Sequence, residues 1–149
     1  MQSYGVEALH ASEQAGIDAI EMSGGTVYSA EYTSSRKGKL DSEDQEVYYR
    51  EAAKRFKEKV GVPLMLVGGI RSYPVAERLV AEGTADYIAM CRPLIREPGL
   101  INRWKSGDVG KALCVSDNGC FIPAFKGRGI TCVVEEKEKG HTNLHSKIE

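Results

Sequence analysis

The run PLMLVGGIRS, residues 63–72, limits the fold of this chain more than any other stretch. Four apolar residues, Leu64 to Val67, follow one another without alternation and stop at Gly68 and Gly69. A strand with no polar face is expected to be covered on both faces, as in a parallel sheet flanked by helices. An echo follows in DYIAMCRPLI, residues 86–95, where a second short apolar run meets Cys91 and Arg92. Between them PVAERLVAEG reads as a compact helix closed by Gly83. Strand, helix and strand in this order make a βαβ unit.

The preceding residues extend the pattern. VEALHASEQAG places Val6, Leu9 and Ala15 at roughly helical spacing and ends at Gly16. IDAIEM reads as a strand that breaks at Ser23-Gly24-Gly25. TVYSAEYTSSRKGKL has no period and reads as a long loop. Asp41 or Ser42 can cap one helix through EDQEVYYREAAKRFKEKV, with Val47, Ala53, Phe56 and Val60 on its apolar stripe. EPGLINRWKSGD predicts a short helix, ITCVVE a strand, and the polar end EKEKGHTNLHSKIE a loose tail. Three strands alternating with helices close poorly as a domain. An eight-stranded barrel takes about 250 residues, so 149 residues make either a small open sheet or one piece of a barrel.

Composition excludes several classes. With 42% hydrophobic and 28% charged residues the chain is globular rather than disordered. A formal net charge of -1 gives no electrostatic case for nucleic acid or an anionic membrane. No apolar run reaches membrane-span length, and MQSYGVEALH lacks the order of a secretory signal, so a cytoplasmic protein is expected. The four cysteines, Cys91, Cys114, Cys120 and Cys132, then suggest thiols or metal ligands more than a disulfide frame.

The two strand-ending turns carry the chemistry. Gly68 and Gly69 let backbone N–H groups approach an anion without a Cβ in the way. Arg71 and Arg92 each offer a fork of donors that matches phosphate oxygens, and Pro93 fixes the chain beyond Arg92. Ligands of parallel α/β folds sit at the carboxyl ends of the strands, and barrels often place a phosphate after their last two. Glycine after a strand is also ordinary turn chemistry, so each turn alone says little.

The longer run VPLMLVGGIRSYPVAERLVAEGTADYIAMCRPLIREPGLINRWKSGD resembles the last two βα units of the Old Yellow Enzyme family, the NADH:flavin oxidoreductases. That group includes the 2,4-dienoyl-CoA reductases. Its pattern is a strand ending in GGI, a helix, then ADxVxxGRPLIxDP, matched here by ADYIAMCRPLIREP. Cys91 stands where the family has Gly or Ala, and Glu97 where it often has Asp. AGIDAIEMSGG resembles the sixth strand, and the likeness covers about residues 5 to 134. It implies an α/β fold: strands 6–8 of an FMN-binding TIM (β/α)8 barrel plus a short Cys-containing extension. Residues 1–110 would form the partial barrel, 111–135 the extension and 136–149 a polar tail.

By the resemblance, Gly68, Gly69 and Ile70 give backbone contacts to the FMN phosphate. Cys91 gives a backbone N–H, and Arg92 pairs with the phosphate; for Arg71 a solvent or helix-cap role stands equally open. The family reaction takes reducing equivalents from NAD(P)H and delivers them to an electron-poor alkene or another acceptor. The family's substrate-gripping His/Asn or His/His pair and its flavin-ring contacts lie on earlier strands. No catalytic residue is therefore expected here, and the chain is expected to be a C-terminal fragment, inactive alone. It would be a homo-oligomer or pair with a partner supplying the missing barrel half. His10, His141 and His145 match no such motif, and Tyr28, Tyr32, Tyr48, Tyr49 and Tyr73 read as packing or surface residues. An unrelated phosphate-binding barrel enzyme is the rival; CRPLIREP and SDNGCF argue against it.

In the dienoyl-CoA reductase branch, four cysteines in the comparable region hold an iron–sulfur cluster. Here Cys114, Cys120 and Cys132 remain, and Asp117 takes the second position. Three thiolates with an aspartate could hold zinc. The favoured expectation is a site that has lost its cluster, its thiols now packing. His141 and His145 have i,i+4 spacing, but no acidic partner completes a zinc motif and none is expected there.

Overall fold

The computed structural model describes residues 4–25, 35–38 and 40–145. Three strands form one sheet: β1 (Ile20–Met22), β2 (Leu64–Leu66) and β3 (Tyr87–Ile88). They lie in the order β1-β2-β3, all parallel, with Ile20 opposite Leu64 and Leu66 opposite Ile88. Helix α1 (Tyr4–Gln14) precedes β1. Helices α2 (Glu43–Glu46) and α3 (Arg50–Lys57) link β1 to β2, and α4 (Tyr73–Ala81) links β2 to β3.

The core lies on one face of this sheet. Leu64 and Leu66 are fully buried there with Phe56, Ala53, Val60, Val75 and Leu79. These come from the apolar stripes of α3 and α4, whose burial supplies most of the fold's driving force. The opposite face differs from the expectation of a strand covered on both sides. Glu21 is exposed, Met65 half-buried and Tyr87 60% exposed, and the register places the three side by side. The non-alternating run therefore has one packed face and one that the described residues leave open.

Two predicted elements change form. The helix expected over residues 43–60 is interrupted at Val47–Tyr49, because Val47 leaves helical geometry at φ −119° and ψ 62°. The break turns Tyr48 and Tyr49 edge-to-face at 4.7 Å, and both pack on the glycine turn after β2. Ser42 is the N-cap, in a reciprocal capping box with Gln45. ITCVVE is not a strand. Val133 opens helix α8 (Val133–His145), which continues through residues predicted as a loose tail. Val133 packs on Gly119, and an i,i+4 pair, Lys139 to Glu135, with Arg96 to Glu138, holds the polar stretch helical.

Beyond β3 come α5 (Arg92–Arg96) and α6 (Leu100–Lys105), the second of which was expected. Leu100 and Trp104 of α6 build a second small core with Ala112, and Tyr73 meets Trp104 edge-to-face at 5.7 Å. A 3-10 turn (Gly119–Phe121) and α7 (Ile122–Phe125) complete the extension. Among the described residues no helix is long and apolar enough to cross a membrane. Tyr28, Tyr32 and most of the long loop lie outside the described residues, as do the side chains of His141 and His145.

Candidate functional site

A cavity of about 620 Å³ opens at the carboxyl ends of β2 and β3. Gly68, Gly69, Ile70, Cys91 and Arg92 all line it. The two turns thus converge, as parallel strands with similar exits require. Asn118 and Phe125 of the extension and Lys37 of the segment after β1 complete the wall.

The glycines are fixed by the protein itself. Gly68 has φ +139° and Gly69 φ +83°, where side chains are strained. A Cβ at Gly69 would sit 2.6 Å from the Glu46 carbonyl oxygen, and one at Gly68 2.7 Å from the Tyr49 ring. Their need is therefore met by packing against α2 and the two tyrosines. What they leave for a ligand is backbone. The N–H groups of Gly68, Gly69, Ile70 and Cys91 donate to no group among the described residues.

The turn is braced from behind by Glu46, a residue that sequence reading passed over. Its buried carboxylate accepts from the N–H groups of Arg71 (3.3 Å) and Ser72 (3.1 Å) and from the Ser72 hydroxyl (2.7 Å). Lys111 balances the charge at 2.7 Å. In EDQE this glutamate looks like any solvated acid at a helix start. No local signal marks it. Tyr49 ties the same turn to the end of β1 by donating to the Gly24 carbonyl. Burial, with Tyr48 alongside, pushes its phenol above the ordinary value, against the opposing Gly24 bond and Arg36.

The two arginines part company here. Arg71 also borders the cavity, but its fork is turned to protein groups rather than to solvent or a helix end. It is 4% exposed and donates to the carbonyls of Gly69 (3.4 Å) and Cys114 (2.6 Å) and to the Ser116 hydroxyl. Its own carbonyl accepts from Ala112 at 2.9 Å. Arg71 therefore staples the extension to the turn. Burial lowers its guanidinium below the usual range; Cys114 opposes this, Arg92 adds to it, and Glu46 opposes it further. Arg92, at the start of α5, is 8% exposed. One nitrogen donates to the Arg36 carbonyl (2.9 Å) and to Asn118 Oδ1 (2.6 Å). Its other nitrogens have no partner, and no carboxylate pairs with it, among the described residues. A buried guanidinium with donors to spare, beside four unengaged N–H groups, is suited to an anion.

A family model described as "NADH:flavin oxidoreductase / NADH oxidase family" matches residues 5–109. The chain belongs to this family. Its relatives include a 4,4'-dithiodibutanoate disulfide reductase of Rhodococcus erythropolis, 32% identical over 62% of this chain and 22% of that protein. An NADH oxidase of Thermoanaerobacter brockii is 30% identical over 91% of this chain and 20% of its own. A solved 2-naphthoyl-CoA reductase in complex with 2-naphthoyl-CoA superposes on 85% of this chain and 19% of that one, with a TM-score of 0.66 at 24% identity. That likeness speaks for the fold alone; with the family match it makes the described chain a partial, TIM-barrel-like domain of a flavin oxidoreductase. The chain spans about a fifth of the length of these relatives.

In this member of the flavin oxidoreductases, Cys114, Asp117, Cys120 and Cys132 border one narrow cleft behind the cavity, with Arg92 and Arg96. Among the described residues no three Cys, His, Asp or Glu side chains are placed to hold a metal ion. Cys120 is buried, and desolvation, with Cys114 adding, pushes its thiol above the ordinary value. Cys132 lies 4.0 Å from an Arg96 nitrogen.

Proposed function

We propose that this chain supplies the FMN phosphate site of an NAD(P)H-dependent flavin oxidoreductase of the ene-reductase or dienoyl-CoA reductase kind. The observation that carries the reading is Arg92: buried, without an acid partner among the described residues, and lining a cavity beside unengaged N–H donors. Gly68, Gly69, Ile70 and Cys91 would give backbone donors to the phosphate, and Arg92 the charge. A cavity of about 620 Å³ suits a cofactor-sized ligand. Most of its wall is apolar, including Val67, Met90 and Ile122, which fits the remainder of a flavin better than a free anion. When bound, the flavin supplies the two-electron redox chemistry, while the protein holds and orients it.

Among the described residues no histidine lines the cavity, and the family resemblance puts the substrate-gripping pair on earlier strands. Hydride transfer then depends on parts of the relatives that lie outside these residues. The open face of Glu21, Met65 and Tyr87 supports reading the sheet as strands 6–8 of a barrel, that face being the barrel's interior. It equally favours a second reading, a non-catalytic part-barrel module that self-associates or pairs with a partner chain. Size-exclusion chromatography read at protein and flavin wavelengths separates them: a yellow species supports the cofactor site, a colourless oligomer the module.

The direct test compares FMN with riboflavin, which lacks the phosphate. Arg92→Met is expected to weaken FMN binding by roughly 10- to 100-fold, the worth of a charged hydrogen-bond set, and to leave riboflavin unchanged. Fluorescence quenching on the purified chain measures both. Equal affinity of the unaltered chain for the two ligands would overturn the reading.

A further inference from the structure

Asn118 occupies an unusual position between three parts of the molecule. Its backbone is left-handed, at φ 59°, a conformation that Asn tolerates better than most residues. Its side chain bridges two of those parts. Oδ1 accepts from Arg92 at 2.6 Å, and Nδ2 donates to the Ser35 carbonyl at 3.0 Å. A guanidinium has donors only, so the amide oxygen must face Arg92 and the amide nitrogen must face Ser35. No other side chain of this length both accepts from one and donates to the other while remaining neutral.

The residues before Asn118 are held with matching care. Lys111 meets Glu46, Ala112 donates to the Arg71 carbonyl, and Arg71 grips Cys114 and Ser116. The Ser116 carbonyl accepts from Gly38 at 3.1 Å. The extension is thereby fixed so that Asn118 meets Arg92.

We infer that Asn118 is a positioning residue for phosphate recognition, holding the Arg92 guanidinium by one nitrogen so that its remaining donors and its whole charge serve the ligand. The inference rests on the FMN reading above. Neutrality is the important property. A carboxylate in the same place would hold Arg92 just as firmly but would neutralise it, leaving the phosphate to face a closed ion pair.

Two variants of the full 149-residue chain test this. Asn118→Asp keeps the acceptor and adds a charge; Asn118→Gly removes the bridge; both residues accept the left-handed backbone. FMN and riboflavin are titrated against each by flavin fluorescence. The expected result is a fall in the FMN-over-riboflavin preference of about tenfold for the glycine variant, and a larger fall for the aspartate variant, with riboflavin affinity unchanged. An unchanged preference in both variants overturns the inference while the FMN reading stands. Equal loss of both ligands makes Asn118 a purely structural residue and also overturns it. If the unaltered chain itself shows no preference, the FMN reading fails, and this inference with it.

Discussion

Arg71 and Arg92 leave the carboxyl ends of neighbouring strands, and both guanidinium groups are buried. They do opposite work. All three nitrogens of Arg71 are engaged by the protein, on Gly69, Cys114 and Ser116. Arg92 uses one nitrogen on Arg36 and Asn118, and among the described residues the rest have no partner. Both border the cavity, but an arginine with every nitrogen engaged internally contributes to the fold, whereas one with nitrogens left over can contribute to binding. The difference lies in what the extension presents to each turn: a carbonyl and a hydroxyl to Arg71, a single amide to Arg92.

The largest effect on folding is therefore expected at Arg71. Arg71→Met leaves the Cys114 carbonyl and the Ser116 hydroxyl without their donor and frees the extension from the turn. A loss of about 3 kcal/mol is expected in urea unfolding. Arg92→Met, the variant that tests phosphate binding, is expected to cost less than about 1 kcal/mol in the same measurement, since one nitrogen alone is lost to the protein. Comparable losses for the two would abolish the contrast. Gly69→Ala comes next, at about 2 kcal/mol, because φ is +83° and its Cβ would meet the Glu46 carbonyl at 2.6 Å. A loss well under 1 kcal/mol would mean that the turn relaxes freely, and that its N–H groups are not held in place.

These distinctions were only partly legible in the sequence. The three strands and the helices before and between them follow from apolar spacing and glycine stops, which depend on local pattern. The five candidate residues converge on one cavity because parallel strands end on the same side. By contrast, VGGIRS and AMCRPL look alike, and nothing local says which arginine has every nitrogen engaged; that depends on Cys114 and Ser116, more than forty residues later. The break at Val47–Tyr49 is only faintly marked: Val and Tyr are weaker helix formers than their neighbours in EDQEVYYREAAKRFKEKV, but propensity alone does not show that the tyrosines pack on Gly68 and Gly69. Val133 and Val134 favour a strand by propensity, yet no sheet edge reaches them and they open α8.

The smallest effect sharpens the comparison from the far end of the strands. Asp86 precedes β3, and its carboxylate accepts from the Leu64 N–H at 2.7 Å and from Lys57 at 2.7 Å. It thereby sets the start of β2 against the start of β3, and so the relative position of both arginine turns. The Lys57 bond first, then the Leu64 bond, hold its carboxyl below the ordinary value. Because the folded value lies below the unfolded one, the contribution is complete above the unfolded value, near pH 4, and fades as pH falls through the folded value. Asp86→Asn should remove that fade and cost about 0.5–1 kcal/mol at neutral pH, the pair being partly exposed and screened. Urea unfolding at neutral pH and again at about pH 3 measures both. The FMN-over-riboflavin preference should not move, since the strands separate Asp86 from the cavity. If it does move, the register of the two strands governs the grip of Arg92, and the division of labour between the arginines is set by the sheet as well as by the extension.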